Sequence, residues 1–315
     1  MKLHNDRASF LNILGIVHDI TGIREDILEK DYYVTLLLSE LAQKQDTLPI
    51  YFKGGTALYK AQKSIRRFSE DIDLTVDVEG CNNSQAKKRL EAATKKYLSL
   101  PRTAERGLED DRKGSITAVY DYMPSVLVDT SDPLQRFGHV KVEGTSFTVS
   151  EPFSSMEVEP IIYTFATMEQ RDILQEQFAV GPFPVKTIRL ERIFADKIFA
   201  AEFYFERAMY FDTAKHVYDV SVMLELPLIR DLLRNRESLG RMISYKRLEE
   251  TRRTGSDLAD KAFSDFQIFR GLSENSDLRG AYDRMQKNYV FTEEDQVPYT
   301  HVLERWERLR AELID

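Results

Sequence analysis

Apolar positions at helical spacing open the chain. Phe10, Leu11, Leu14 and Val17 predict an amphipathic helix over residues 7–19. After a break at Thr21-Gly22, Ile27, Leu28, Val34, Leu37, Leu38 and Leu41 predict a longer helix over 25–44. The pattern then changes. Residues 48–52 read as a strand running into Gly54-Gly55, and a short helix carrying Leu58 and Lys60 follows. Residues 71–78 alternate: Ile72, Leu74, Val76 and Val78 take one face of a strand, and Asp71, Asp73, Thr75 and Asp77 take the other. Two residues along a strand, the Asp71 and Asp73 Cα atoms would stand roughly 6.5–7 Å apart.

Further on, residues 82–99 read as helix, 115–122 and 139–143 as strands, and 124–133 as irregular. Residues 157–162 are expected to form one more strand. Gly181, Pro182 and Pro184 punctuate 179–185 and mark a domain boundary. Beyond it the pattern is helical. Thr187 is expected to cap a helix running to about residue 207. Asp212 caps or opens a second helix through 224, Pro227 starts a third, and breaks fall near Gly240, Gly255 and Gly271. The expected class is α+β. A first domain over 1–180, with a mixed sheet flanked by helices, precedes a helical bundle over 185–315.

Composition narrows the class. The chain has 315 residues, 42% hydrophobic and 30% charged, which suits a globular protein of two domains. No apolar run approaches the ~20 residues of a membrane helix. The first ten residues lack a signal core, and the lone Cys81 rules out an internal disulfide, so a cytoplasmic protein is expected. A net charge of −8 speaks against broad electrostatic nucleic-acid binding. A local basic groove stays open, built from Lys87 to Lys96 with Arg102, Arg106, Arg112 and Lys113; a solvated helix face is the alternative.

The candidate chemistry lies where glycine pair and aspartates meet. Adjacent glycines let backbone N–H groups approach a phosphate, and paired carboxylates can share divalent cations. In the order strand, Gly-Gly, helix, Asp-x-Asp strand, they point to metal-assisted phosphoryl or nucleotidyl transfer. Glu143 is the expected third carboxylate, with Glu159 as substitute. Lys60, Lys63, Arg66 and Arg67 form a cationic cluster suited to triphosphate oxygens or, equally, to an exposed helix face. The run Glu29-Lys30-Asp31-Tyr32-Tyr33-Val34 reads either as a solvated face or as a wall of the catalytic cleft. Lys197 borders the apolar face of its helix, where a lysine either snorkels or serves the site.

Four pieces carry a family resemblance: Glu29 to Val34; Phe52-Lys53-Gly54-Gly55-Thr56-Ala57-Leu58; Arg67-Phe68-Ser69-Glu70-Asp71-Ile72-Asp73-Leu74; and Lys197 followed by Arg207 and Tyr218-Asp219. In that order they resemble the AbiEii/AbiGii-type nucleotidyltransferase toxins, a branch of the DNA polymerase β-like superfamily that includes the MenT toxins. The resemblance implies that Gly54, Gly55 and Thr56 meet nucleotide phosphates and that Ser69 sits beside the metal. Asp71 and Asp73 would bind Mg²⁺, with Mn²⁺ as the substitute. Lys197 would contact the triphosphate, and Asp219 would orient that lysine or the acceptor. It further implies a nucleoside triphosphate donor, an RNA acceptor such as a tRNA 3′ end, and a cognate antitoxin. Two other readings stand beside it: a non-catalytic nucleotide- or RNA-binding relative, and an Asp-x-Asp glycosyltransferase.

Overall fold

The structure, a computed structural model, describes residues 2–128, 137–253 and 255–314. Residues 129–133 of the expected irregular stretch lie outside the described residues. The chain divides into two compact units. The first takes Met1–Ala61, Phe68–Ser146 and Phe153–Thr187; the second takes Gln62–Arg67, Phe147–Pro152 and Ile188–Asp315.

In the first unit, α1 (Arg7–Thr21) starts at Asp6, whose side chain accepts from the Ser9 N–H, and stops at Gly22 in the left-handed conformation. Helix α2 (Glu25–Lys44) is buried over most of its length. Strand β1 (Ile50–Lys53) runs straight into α3 (Gly54–Lys60), and β2 (Ile72–Val76) follows. Next come α4 (Asn83–Thr94), β3 (Asp110–Arg112), β4 (Ser115–Asp121), β5 (His139–Thr145) and β6 (Phe153–Val158). Helices α5 (Ile161–Thr164) and α6 (Met168–Phe178) precede β7 (Phe183–Ile188).

The strands form one mixed seven-stranded sheet in the order β3-β4-β5-β2-β1-β7-β6. Strand β2 pairs antiparallel with β1 and parallel with β5, and β1 pairs parallel with β7. Phe52, Ile72, Leu74, Val140 and Val142 are fully buried. Helix α4 packs so closely on this apolar side that a Cβ on Gly144 would lie 2.7 Å from Thr94 Cγ2. The opposite side carries the alternating polar residues, as the period-two pattern requires. There the register aligns Lys53, Asp73, Glu143 and Thr117 in one row across β1, β2, β5 and β4.

In the second unit, α7 (Leu190–Phe205) and α8 (Tyr210–Met223) pack together, and α9 (Pro227–Arg234), α10 (Arg236–Arg252), α11 (Ile268–Glu274), α12 (Ser276–Tyr289) and α13 (Tyr299–Ile314) follow. Trp306 anchors α13 by donating its indole N–H to Ser221 Oγ at 3.1 Å.

The α+β class is borne out, and several local expectations are corrected. The strand expected over 157–162 lies earlier, as β6, because Pro160 cannot donate to a ladder and instead leads into α5. Thr187 caps no helix. It is a buried β7 residue facing Phe52, in a segment whose Val185, Thr187 and Ile188 are β-branched. Asp212 sits in the first turn of α8 and pairs with Lys215 at 2.7 Å. Gly240 and Gly271 lie inside helices. At Gly271 the reason is packing: a Cβ would fall 2.0 Å from the Phe205 ring. Among the described residues, no helix is long and apolar enough to cross a membrane.

Candidate active site

The glycine turn and the carboxylate strand meet in the first unit. Gly54 has φ +80°, which L side chains rarely adopt, and a Cβ there would lie 2.0 Å from Asp73 Oδ2. Only glycine lets the β1–α3 turn approach the Asp73 carboxylate this closely. Thr56 Oγ1 then donates to the Asp71 carbonyl at 2.5 Å, tying the first turn of α3 to the entry of β2. Thr56 and Gly55 are buried, while Ser69, Asp71 and Asp73 are half-buried. Asp71 immediately precedes β2 and is not part of it as expected.

Of the two candidates for a third carboxylate, Glu143 stands in register with Asp73 on the neighbouring strand. Glu159 lies after β6, at the far edge of the sheet, where its carboxylate accepts from Thr164 at 3.0 Å. Among the described residues, no group of three or more His, Cys, Asp or Glu side chains could hold a metal ion alone. The oxygen donors nevertheless suit Mg²⁺, which is commonly held by one or two carboxylates with substrate phosphates completing its shell. Lys53, opposite Asp73 in the row, donates from Nζ to Thr145 Oγ1 at 3.1 Å.

The cationic cluster separates. Lys60 is buried, with Nζ 2.6 Å from Asp31 Oδ1 and donating to the Glu159 carbonyl at 3.0 Å. Arg66 pairs with Asp295 at 2.9 Å, and Arg67 pairs with Asp219. Lys60 and Arg67 are buried cations, each held by its own carboxylate, whereas Lys63 and Arg66 are exposed. Part of the expected basic groove is ion-paired. Lys87 and Lys95 face Asp111, Arg102 pairs with Glu109, and Arg112 with Asp110. The side chain of Arg106 lies outside the described residues.

In the second unit, Asp219 is fully buried and receives Arg67 through two bonds, Nε and Nη2 each at 2.6 Å. Lys197 Nζ lies 3.1 Å from the same carboxylate, with 7% of its side chain exposed. Burial would push the Asp219 carboxyl up, but Arg67 and Lys197 together hold it below the usual range. Arg67 and Lys197 thus share one buried carboxylate. Lys197 is therefore an ion-paired group and not a snorkelling one.

Sequence reasoning weighed a solvated face for Glu29, Lys30 and Asp31. The structure buries all three, at 1%, 1% and 0% exposure. A Glu-Lys-Asp run inside an otherwise apolar helical stripe was the available signal. Asp31 accepts from Tyr59 at 2.8 Å and from the Ile161 N–H at 2.7 Å, besides pairing with Lys60.

The family model for the nucleotidyl transferase AbiEii toxin, of the type IV toxin–antitoxin system, matches residues 36–311. The chain belongs to the AbiEii nucleotidyltransferase toxin family. A comparison with curated proteins finds no match. Among solved structures, the chain is similar to MenT4, a nucleotidyltransferase toxin from Mycobacterium tuberculosis H37Rv, at 14% identity and a TM-score of 0.48, covering 96% of this chain and 97% of that one. The AbiEii resemblance read from the four motif pieces is thus borne out. Membership makes the protein a nucleotidyltransferase toxin with a nucleotide substrate and a cognate antitoxin.

Proposed function

We propose that this AbiEii toxin transfers a nucleoside monophosphate from a nucleoside triphosphate to an RNA hydroxyl, with a tRNA 3′ end as the acceptor. The observation that carries this reading is the Asp73 carboxylate packed over Gly54. It sets a carboxylate oxygen of the kind Mg²⁺ prefers against a glycine turn of the kind whose backbone N–H groups bind phosphate.

In the proposed reaction the acceptor oxygen attacks the α-phosphorus, the α–β anhydride bond breaks, and pyrophosphate leaves. Mg²⁺, or Mn²⁺ in its place, would supply charge neutralisation on the phosphates and a lowered pKa for the attacking hydroxyl. Asp71 and Asp73 would hold it, with Glu143 beside them. The backbone of Gly54, Gly55 and Thr56 orients the phosphates, with Ser69 nearby. Lys197 carries positive charge for the triphosphate, and Asp219 fixes that ammonium. Such transfer asks mainly for positioning and electrostatics.

Labelled nucleoside triphosphates incubated with the toxin, Mg²⁺ and total tRNA test the reading. Label should pass to RNA with wild-type protein and not with Asp73→Asn. Label transfer undiminished in Asp73→Asn would overturn it.

A further inference from the structure

The two strands that carry Asp73 and Glu143 run parallel as neighbours, so their N-terminal ends lie at one edge. A single buried side chain reaches both ends. Lys30, on α2, places Nζ 3.7 Å from Glu70 Oε2, and Glu70 immediately precedes Asp71. The same ammonium donates to the carbonyl of His139, the first residue of β5. The Lys30 and Glu70 side chains are 1% and 9% exposed. The adjacent Asp31 holds Tyr59 and Lys60 at the end of α3, the helix that begins with the glycine turn. One dipeptide of α2 thus grips β2, β5 and α3, the three elements on which the proposed metal and phosphate contacts stand.

Energetics argue that this is more than cohesion. Lys30, Asp31, Lys60 and Glu70 are all buried. Buried ion pairs often stabilise no better than apolar residues of equal volume, because desolvation offsets their attraction. What a directed pair does supply is a fixed separation between the elements it joins. At a metal site, such outer contacts decide where the ligating carboxylates point.

We infer that Lys30, through Glu70 and the His139 carbonyl, is a positioning residue that fixes the segment leading into Asp71 against the start of β5 and so sets the aim of the carboxylates and their capacity for a divalent cation. The inference rests on the transferase reading above. It adds a role for a residue that touches neither nucleotide nor metal.

The test uses the full-length protein with Mn²⁺ as a spectroscopic probe, titrated by electron paramagnetic resonance beside a non-hydrolysable nucleoside triphosphate. Lys30→Met keeps the chain length and removes the charge. It should weaken Mn²⁺ binding by about 10–100-fold and lower kcat by a similar factor, with a smaller change in the nucleotide KM. Lys30→Met/Glu70→Gln removes both charges. It should recover melting temperature without recovering Mn²⁺ affinity, which a purely structural pair would not do. If Lys30→Met does not fold, Glu70→Gln carries the same measurement. A folded Lys30→Met, double variant or Glu70→Gln that binds Mn²⁺ as wild type does overturns the inference. Asp73→Asn separates the two levels. Wild-type Mn²⁺ affinity in Asp73→Asn sinks the transferase reading and the inference with it; loss there, with wild-type affinity in the Lys30 and Glu70 variants, sinks the inference alone.

Discussion

Gly54 and Asp73 exclude any side chain between them: a Cβ on the glycine would sit 2.0 Å from Oδ2 of the aspartate. Gly54→Ala must therefore push the carboxylate away, and it also strains a backbone at φ +80°. Displacement of reacting groups by about 1 Å can cost on the order of 10²-fold in rate. We expect Gly54→Ala to lose label transfer by about that factor while remaining folded, checked by transfer assay and circular dichroism together.

Asp71→Asn and Asp73→Asn keep side-chain volume and remove the charge that would hold the cation. Both aspartates are half-buried, so little core packing is altered. Transfer should disappear in each, with melting temperatures close to wild type. Chelation of divalent cations should silence the wild-type toxin, and added Mg²⁺ should restore it.

Asp219 and Lys197 should respond differently to substitution. Asp219→Asn removes the charge with which the buried Arg67 and the largely buried Lys197 both pair. The expected loss of stability is about 3–5 kcal/mol. Lys197→Met leaves the two Arg67 bonds to Asp219 intact, so unfolding should change less. Its transfer rate should fall by about 10²–10³-fold, as for other lost electrostatic contacts. Urea unfolding and single-turnover assays distinguish the two behaviours.

His139 gives the fold an acid limb. Burial, then the neighbouring Lys30 and Lys141 charges, push its imidazole down to about 4. The unfolded chain therefore binds more protons between pH 6.5 and about 4. The stability this site permits is complete above pH 6.5 and is lost as pH falls towards 4. His139→Gln should flatten that part of the melting-temperature profile, measured from pH 7 to pH 4 in both proteins.

Much of the Asp-x-Asp strand was legible because its pattern is local. Alternation placed Asp73 opposite Leu74, and the glycine pair marked the turn before it. What the sequence hid was partnership over distance. Lys60 and Arg67 read alike as basic residues near a glycine turn, yet their carboxylates are Asp31 and Asp219, far along the chain in opposite directions. The charges of α2 looked solvated because helical charge runs usually are; only the elements packed on every side reveal them as buried. Thr187 was misread because capping chemistry and β-branching coincide in threonine, and tertiary pairing with Phe52 decided between them.

That last pairing has a consequence for biosynthesis. Phe52 on β1 meets Thr187 on β7, with β6 beyond it at the sheet edge. On the ribosome, the nascent chain cannot complete this sheet until the segment through Ile188 has left the exit tunnel. Contacts this distant in sequence form slowly. An enzyme built in this way completes its central sheet only after residue 188 of its 315 has been made.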